Sequence, residues 1–254
     1  MGAYHNSTLA MRKLIFIVLF VFLFLADYND RSVAATIPPL SPALNRLLVI
    51  GDSLTSGLYA SSENATYARL VADATKMQLA RRYVSTLSLA IDEWSKVKVW
   101  RPGVIVLEVG LNDVSRERYT ESWQPQYQSL VDDMRSTGAR VVVVTMFWAG
   151  IQPSHPNYAK YIALNTSIRD VAKRTGVSVA DVWSATVNCK DCVSDETDDS
   201  YFSPHYHGDG FHPNDVGHAL IAQVVVEAIR QCVCDSDNPE PNRILYYLPV
   251  MKNE

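Results

Sequence analysis

The sequence lacks any cluster of basic residues. Its 254 residues include 23 Lys and Arg against 27 Asp and Glu, which gives a formal net charge of -4. Proteins that bind nucleic acid without sequence preference carry a basic surface that neutralises phosphates. The charge balance therefore argues against nucleic acid as a partner. The 48% share of hydrophobic residues indicates a globular chain rather than a disordered one.

The N-terminal region has too short an apolar run to predict a membrane-spanning helix. Residues 14–26 form an unbroken apolar run of 13 residues, preceded by Arg12 and Lys13. A spanning helix needs about 20 apolar residues, whereas the core of a secretory signal needs ~7–15. Residues 1–35 are therefore interpreted as a signal peptide cleaved after Ala35, which predicts a secreted or cell-envelope protein. The charged segment at 27–31 leaves an uncleaved anchor at 14–26 as the alternative, and only that alternative places the chain at a membrane.

Cysteine is scarce and confined to the C-terminal part of the chain, at Cys189, Cys192, Cys232 and Cys234. An even number of cysteines in an exported chain predicts two disulfides. The sequence leaves their pairing open. Zinc held by the Cys-x-x-Cys and Cys-x-Cys pairs is the alternative, although this spacing is not a standard finger pattern.

What the chain does contain is a repeated alternation of apolar runs and helical patterns. The runs are continuous, which is typical of parallel strands covered on both faces. One α/β domain is predicted over residues 46–234, with a proline-containing lead-in at 36–45 and a polar tail at 235–254. Strands are predicted at 46–50, 82–85, 104–109, 141–144 and 177–182, and helices near 65–77, 89–97, 127–134, 161–171 and 214–231. In the last helix, the residues expected to face the core are Val216, Leu220, Val224 and Ala228, and those expected to face solvent are Gln223 and Glu227.

Polar residues follow two of these predicted strands and precede the last helix. Ser53 follows the first strand and Asn112 the third, while Asp209 and His212 stand just before the last helix. Because the carboxyl ends of parallel strands lie along one edge of a sheet, these side chains are expected to be neighbours. Taken singly, each motif has a simpler explanation as a turn or a helix cap. Together, in this order, they predict a site.

Each of these residues suits one part of nucleophilic catalysis. A serine hydroxyl attacks once a base takes its proton, and the imidazole of His212 can be that base. The carboxylate of Asp209 can hold the other ring nitrogen. The side-chain amide of Asn112 and the backbone N–H of Ser53 can donate to an oxyanion. We therefore predict Ser53, Asp209 and His212 as catalytic residues, with Asn112 and Ser53 forming the oxyanion hole.

Three motifs together resemble the GDSL esterases/lipases of the SGNH-hydrolase superfamily. They are Gly51-Asp52-Ser53-Leu54, Gly110-x-Asn112-Asp113 and Asp209-x-x-His212-Pro213. The resemblance extends from Arg46 to about Gln231. It implies a flavodoxin-like three-layer α/β/α sandwich with a parallel sheet of about five strands. It also implies Ser53 as the nucleophile, His212 as the base, Asp209 as its partner and Asn112 as an oxyanion donor, and no cofactor is expected.

One departure from the family pattern concerns a further oxyanion donor. The family's second block normally supplies a glycine N–H, and the matching stretch at 85–90 contains no glycine. Ser88 or Leu89 is the expected substitute, with a more restricted backbone than glycine has. This departure leaves open a non-catalytic binding module on the same scaffold.

The residues predict an exported serine esterase that acts on a small ester or an acylated saccharide through an acyl-enzyme. A carbohydrate O-deacetylase is the alternative within the same chemistry, which a comparison of acetylated sugars with long acyl esters would separate. A metal site at His205, His207 and His212 is disfavoured, because the triad already accounts for His212. Asp52 and Asp113 are expected to hold their own loops. Glu108 receives no role, Trp148 is assigned either to the pocket or to the core, and the oligomeric state is not indicated.

Overall fold

The chain is organised around a parallel sheet of five strands. The computed structural model describes residues 43–148, 151–187, 189–201 and 203–237, with the backbone alone for 43–44, 200, 203–207 and 232–237. The strands of this sheet are β1 (Ala43–Gly51), β2 (Gln78–Tyr83), β3 (Pro102–Glu108), β4 (Arg140–Val144) and β5 (Ser178–Ala180). Their order is β2-β1-β3-β4-β5, and every neighbouring pair is parallel. This order confirms the flavodoxin-like arrangement.

Helices cover both faces of the sheet. Those in the described residues are α1 (Ser53–Ser56), α2 (Tyr67–Thr75), α3 (Leu87–Val97), α4 (Leu111–Ser115), α5 (Trp123–Ser136), α6 (Tyr158–Thr175), α7 (Val182–Thr186) and α8 (Asp215–Asp237). Helix α8 packs against α2 and α7, whereas α3 packs against α5 and α5 against α6. These two groups make the outer layers of the predicted three-layer sandwich.

The three inner strands explain why the apolar runs do not alternate. Every residue of β3 is buried, as are the last four residues of β4 and residues 47–50 of β1. A strand with helices on both faces places all of its side chains in the core, so its sequence reads as one apolar run. The edge strand β2 is only half-buried, and its sequence is correspondingly polar.

The boundaries of several elements differ from the sequence prediction. Strand β1 begins at Ala43, three residues inside the predicted lead-in, and β2 begins at Gln78 rather than at 82. Strand β5 ends at Ala180 rather than at 182, because Asp181 caps α7 by accepting a hydrogen bond from the Ser184 N–H. Helix α8 continues to Asp237, past the predicted domain end at 234.

The predicted inner face of the last helix is partly wrong. Val216 is 55% exposed, whereas Ala228 is buried, as are Ile221 and Val225. A strict four-residue spacing advances 400° and so drifts about 40° per step around a helix of 3.6 residues per turn. The predicted stripe therefore starts on the solvent side and reaches the core only near its end. The prediction that Gln223 and Glu227 face solvent is confirmed.

Outside the main sheet, the described residues also contain a small hairpin. A two-stranded antiparallel hairpin joins β6 (Asp199–Ser200) and β7 (Ser203–His207). Among the helices of the described residues, none has both the length and the apolar character needed to cross a membrane. The predicted signal or anchor at 1–35, most of the lead-in and most of the tail lie outside the described residues.

Candidate active site

The candidate site lies where β1 and β3 end, at the point where the chain order of the sheet reverses. Strand β2 lies on one side of β1 and β3 on the other, so a crevice opens at the carboxyl ends of these neighbours. Ser53 is the first residue of α1, two residues after β1 ends. Asp52 caps this helix by accepting the Leu54 N–H at 3.1 Å. The cap fixes the turn that presents Ser53.

The predicted base, His212, and its predicted partner, Asp209, approach Ser53 from the loop before α8. The Nε2 atom of His212 lies 2.8 Å from Ser53 Oγ, and its Nδ1 atom lies 2.7 Å from Asp209 Oδ2. The other carboxylate oxygen of Asp209 accepts the backbone N–H groups of Phe211 and His212, each at 2.9 Å. The structure therefore brings Ser53, His212 and Asp209 into one hydrogen-bonded line.

The electrostatic setting keeps Asp209 ionised. Partial burial acts to raise the pKa of its carboxyl group, but the hydrogen bonds from the His212 N–H and ring outweigh burial and hold that pKa below the ordinary aspartate value. An ionised Asp209 fixes the proton of the neutral imidazole on Nδ1. Nε2 is then left to accept the Ser53 proton.

Asn112 comes to the same edge from the first turn of α4. Gly110, between β3 and α4, has φ +129, and an added Cβ there would lie 2.7 Å from a methyl group of Leu164. Glycine is therefore required at this turn. The Nδ2 atom of Asn112 donates to Asp52 Oδ2 at 2.9 Å. One N–H of the amide is thus used to orient the group, and the second is free of that bond.

The loop expected to supply a further oxyanion donor is tied to α4 by Asp113. This buried carboxylate accepts the Leu87 N–H at 3.0 Å, across 26 residues. Asp113 therefore holds a neighbouring loop rather than its own, contrary to the sequence prediction. Ser88 and Leu89 lie in the first turn of α3, where backbone N–H groups have no acceptor within the helix.

Glu108 is a site residue that the sequence reasoning missed. It is the last residue of β3 and only 4% exposed. Its Oε2 atom accepts the Asp52 N–H and the Thr55 hydroxyl, each at 3.1 Å. The only signal in the sequence was a carboxylate at the end of an otherwise apolar run. Through these two hydrogen bonds, Glu108 fixes the turn that carries Ser53.

Asp52 and Glu108 form a buried pair of carboxyl groups whose pKa values are both raised. Burial raises the pKa of Glu108 well above its ordinary value, and the neighbouring charge of Asp52 raises it further. Burial also raises the pKa of Asp52, but hydrogen bonds from the Leu54 N–H, Glu108 and Asn112 act against it. Asp52 thus receives more hydrogen bonds that favour its ionised form, and the rise in pKa is larger for Glu108.

A second buried group behind α1 is His218, which the sequence analysis did not single out. Its Nδ1 atom accepts the Tyr67 N–H at 3.3 Å, so the proton lies on Nε2, which donates to the Leu58 carbonyl at 3.3 Å. Burial lowers the pKa of His218 to about 4. This neutral imidazole links α8 to α2 and to the end of the Ser53 turn.

The structure tests the prediction of two disulfides for one pair of cysteines. Cys189 and Cys192 form a disulfide, which overturns the alternative of zinc at this Cys-x-x-Cys motif. The side chains of Cys232 and Cys234 lie outside the described part of the chain, as do those of His205, Tyr206 and His207. Within the described part, no group of three or more His, Cys, Asp or Glu residues is placed to hold a metal ion.

Trp148 serves both the core and a cavity. Its side chain is 7% exposed, and its backbone N–H donates to Thr186 Oγ1 at 3.1 Å. It also lines a cavity of about 580 Å³ next to the Asp209–His212 loop. The other residues that line this cavity are Gln152, Lys190, Asp191, Val193, Ser194, Asp195, Gly210 and Asn214. Both assignments made for Trp148 from the sequence are compatible with this position.

Comparisons with known proteins show the family and the fold of the chain. The model of the GDSL-like Lipase/Acylhydrolase family matches residues 49–220. No curated protein sequence matches the chain. Among the solved structures that share the fold are an alpha/beta hydrolase enzyme from the metagenome of Lake Arreo, the acetylxylan esterase of Geobacillus stearothermophilus, and a lipolytic G-D-S-L protein of Veillonella parvula.

Their similarity to this chain lies in the fold rather than in the sequence. The Lake Arreo enzyme is 21% identical with a TM-score of 0.57, covering 74% of this chain and 95% of its own. The acetylxylan esterase is 18% identical with a TM-score of 0.56, covering 75% and 96%. The Veillonella protein is 15% identical with a TM-score of 0.59, covering 73% and 98%.

Proposed function

Because the chain belongs to the GDSL-like Lipase/Acylhydrolase family, we propose that it hydrolyses carboxylic esters through a serine nucleophile, Ser53. The observation that carries this proposal is the hydrogen-bonded line from Ser53 Oγ through the His212 ring to Asp209. Its two contacts, of 2.8 and 2.7 Å, are short enough for direct proton transfer and for fixing the tautomer.

In the first half of the reaction, Ser53 Oγ attacks the carbonyl carbon of the ester. His212 Nε2 takes the hydroxyl proton as the new C–O bond forms, and the carbonyl oxygen becomes an oxyanion. Asp209 stabilises the imidazolium through its hydrogen bond to Nδ1. When the tetrahedral intermediate collapses, the imidazolium returns this proton to the leaving alcohol, and an acyl-enzyme remains.

In the second half, water replaces the alcohol. His212 Nε2 removes a proton from the water as its oxygen attacks the acyl carbon. The second tetrahedral intermediate then releases the carboxylic acid, and the proton returns to Ser53. The residues present are sufficient for both halves.

The oxyanion is proposed to be held by two donors. The Ser53 N–H is at the first residue of α1, where no intrahelical acceptor exists. Asn112 supplies the N–H of its amide that does not bond Asp52. Because Asp52 is itself fixed by the Leu54 N–H, the amide is oriented before substrate arrives, which is the condition for efficient oxyanion stabilisation.

A second candidate within this chemistry is the removal of acetyl groups from a saccharide. The cavity beside the Asp209–His212 loop is lined by neither Ser53 nor His212, but the polar groups of Asn214, Lys190 and Asp191 suit the distal part of an alcohol rich in hydroxyls. One of the fold neighbours is an acetylxylan esterase. Acetylated xylooligosaccharides, short aryl esters and long acyl esters together form the substrate panel that separates a deacetylase from a lipid esterase.

Export is also proposed, from the character of residues 1–35. The Cys189–Cys192 disulfide supports this proposal, because structural disulfides persist in oxidising compartments. Cleavage after Ala35 gives a mature chain that begins at Thr36. N-terminal sequencing of protein expressed from the full gene distinguishes cleavage from an uncleaved anchor.

The test of the proposed function is Ser53→Ala. Loss of the nucleophile should lower kcat on a short aryl ester by about 10⁴-fold or more while the circular dichroism spectrum stays unchanged. A fluorophosphonate should add one phosphonyl group to the wild type, with loss of fluoride, and none to the variant.

The matched control is Ser95→Ala, the same chemical change at a serine in α3 whose hydroxyl only donates to the Asp92 carbonyl. It should retain wild-type turnover and labelling. Full activity of Ser53→Ala would refute the mechanism, and a wild type that neither turns over any ester of the panel nor takes the label would favour a binding module.

A further inference from the structure

Ser194 is buried beside the acid of the proposed triad, on the side away from the His212 ring. It is 1% exposed, in the segment that follows the disulfide. Its hydroxyl donates to Asp209 Oδ1 at 3.2 Å and accepts the Asp209 N–H at 3.3 Å. Both hydrogen-bonding functions of this hydroxyl are therefore directed at one residue.

The backbone of Ser194 holds the same loop at two further points. Its N–H donates to the His212 carbonyl at 2.7 Å, and its carbonyl accepts the Gly210 N–H at 2.9 Å. Four hydrogen bonds thus connect one buried residue to Asp209, Gly210 and His212. We propose that Ser194 is a positioning residue, which fixes the Asp209 carboxylate so that Oδ2 faces His212 Nδ1; this role rests on the proposed function of the triad.

The carboxylate geometry explains why a donor is needed on Oδ1. Oδ2 bonds the His212 ring, while Oδ1 accepts the Phe211 and His212 N–H groups. These two donors lie on the same short turn as Asp209 and move with it. The Ser194 hydroxyl comes from a separate segment, 15 residues earlier, and so fixes the carboxylate relative to the body of the protein.

The segment that carries Ser194 is held independently of the hydroxyl. The Asn214 N–H donates to the Cys192 carbonyl at 3.1 Å, and its side-chain amide donates to the carbonyls of Asp191 and Val193. Val193 also pairs with Pro213. Removal of the hydroxyl should therefore leave the backbone in place, so that Ser194→Ala folds and reports on positioning.

The experiment compares Ser194→Ala, Ser194→Thr and the wild type on a short aryl ester. Loss of one charge-assisted hydrogen bond in the aligned triad should lower kcat about tenfold and leave KM for a short aryl ester unchanged, because the Ser194 hydroxyl is directed at Asp209. Threonine retains the hydroxyl and should restore kcat. Thr175→Val removes another buried hydroxyl, one that donates to the Val171 carbonyl within α6, and should lower the melting temperature without changing kcat.

A spectroscopic readout keeps this test separate from the proposed function. The far-downfield proton resonance of the His212 Nδ1–H reports its bond to Asp209 whether or not the protein hydrolyses esters. It should shift or broaden in Ser194→Ala and return in Ser194→Thr. If Ser194→Ala does not fold, Ser194→Cys, with a weaker donor of similar shape, takes its place with the same expectations. An unchanged resonance and unchanged kcat in the folded variant would overturn the proposal.

Discussion

The raised pKa of the buried Glu108 carboxyl group makes the stability of this protein depend on pH, and one variant can isolate that dependence. Glu108→Gln keeps the shape of the protonated carboxyl group. The amide oxygen can still accept the Asp52 N–H and the Thr55 hydroxyl, and the amide N–H can still donate to Asp52. Glutamine differs in one respect that matters here, since it has no proton to lose.

The expected size follows from linkage. Glu108 has an ordinary pKa of 4.5, and burial raises its folded-state pKa well above that value. Its contribution to stability is therefore full below pH 4.5 and is lost as the pH rises through the folded-state pKa. Across that window the unfolded chain is ionised while the native chain is not, so the wild type loses about 1.4 kcal/mol of unfolding free energy per pH unit from this group. Glu108→Gln avoids this loss.

The assay is urea unfolding at pH 5, 6 and 7, followed by tryptophan fluorescence. The unfolding free energy of Glu108→Gln relative to the wild type should rise by about 1.4 kcal/mol per pH unit until the folded-state pKa is passed, with equal m-values. Glu121→Gln makes the same chemical change at an exposed carboxylate and supplies the baseline. The variant should also keep its esterase activity, because neutral glutamine makes the hydrogen bonds of neutral Glu108.

Two results would refute this reasoning. The first is a difference in unfolding free energy between Glu108→Gln and the wild type that does not change with pH. Glu108 would then be ionised in the native protein across this pH range, and its pKa would not be raised. If Glu108→Gln folds but loses activity while Glu121→Gln keeps it, the charge of Glu108, and not its shape, supports the Ser53 turn.

Three further expectations follow from the same region. Burial lowers the pKa of His218 to about 4, so stability should fall by about 1.4 kcal/mol per pH unit as the pH drops from 6.5 towards 4, and urea unfolding of His218→Asn should lack that part of the slope. Gly51→Ala should destabilise the fold by more than ~2 kcal/mol, since the added Cβ would overlap Thr55 Oγ1 and lie 2.8 Å from the Glu108 carbonyl; an unchanged thermal midpoint would contradict this packing. Asn112→Ala should lower kcat by ~10²–10³-fold with little change in KM, and wild-type kcat on a short aryl ester would remove Asn112 from the oxyanion hole.

The features that were predicted best from the sequence are those that depend on a local pattern of residues. The apolar runs of β3 and β4 identified buried strands because both faces of each strand are covered. Strand β2 was placed too late, since an edge strand that begins with Gln78 has no apolar run to mark its start. The motif residues Ser53, Asn112, Asp209 and His212 follow strand ends or precede a helix, so the topology of a parallel sheet is enough to bring them together.

The residues that the sequence analysis missed act through hydrogen bonds to residues that are distant in the chain. Glu108 bonds the Asp52 turn across 56 residues, and Ser194 bonds Asp209 from a segment with no periodic pattern of its own. His218 lies on a helix whose four-residue apolar spacing pointed to other positions. In all three, a polar group is buried and then satisfied by a distant partner, and neither hydrophobic periodicity nor turn composition carries that information.

Ser53 and His212 are 159 residues apart in the chain, one near the start of the described domain and the other just before its last helix. During synthesis the proposed nucleophile therefore emerges long before its proposed base, and we expect no hydrolytic activity from the nascent chain until α8 is made and docks beside α2 and β5. Recovery of activity after dilution from denaturant measures the arrival of this last helix. Secondary structure, which forms earlier and locally, should return before turnover does.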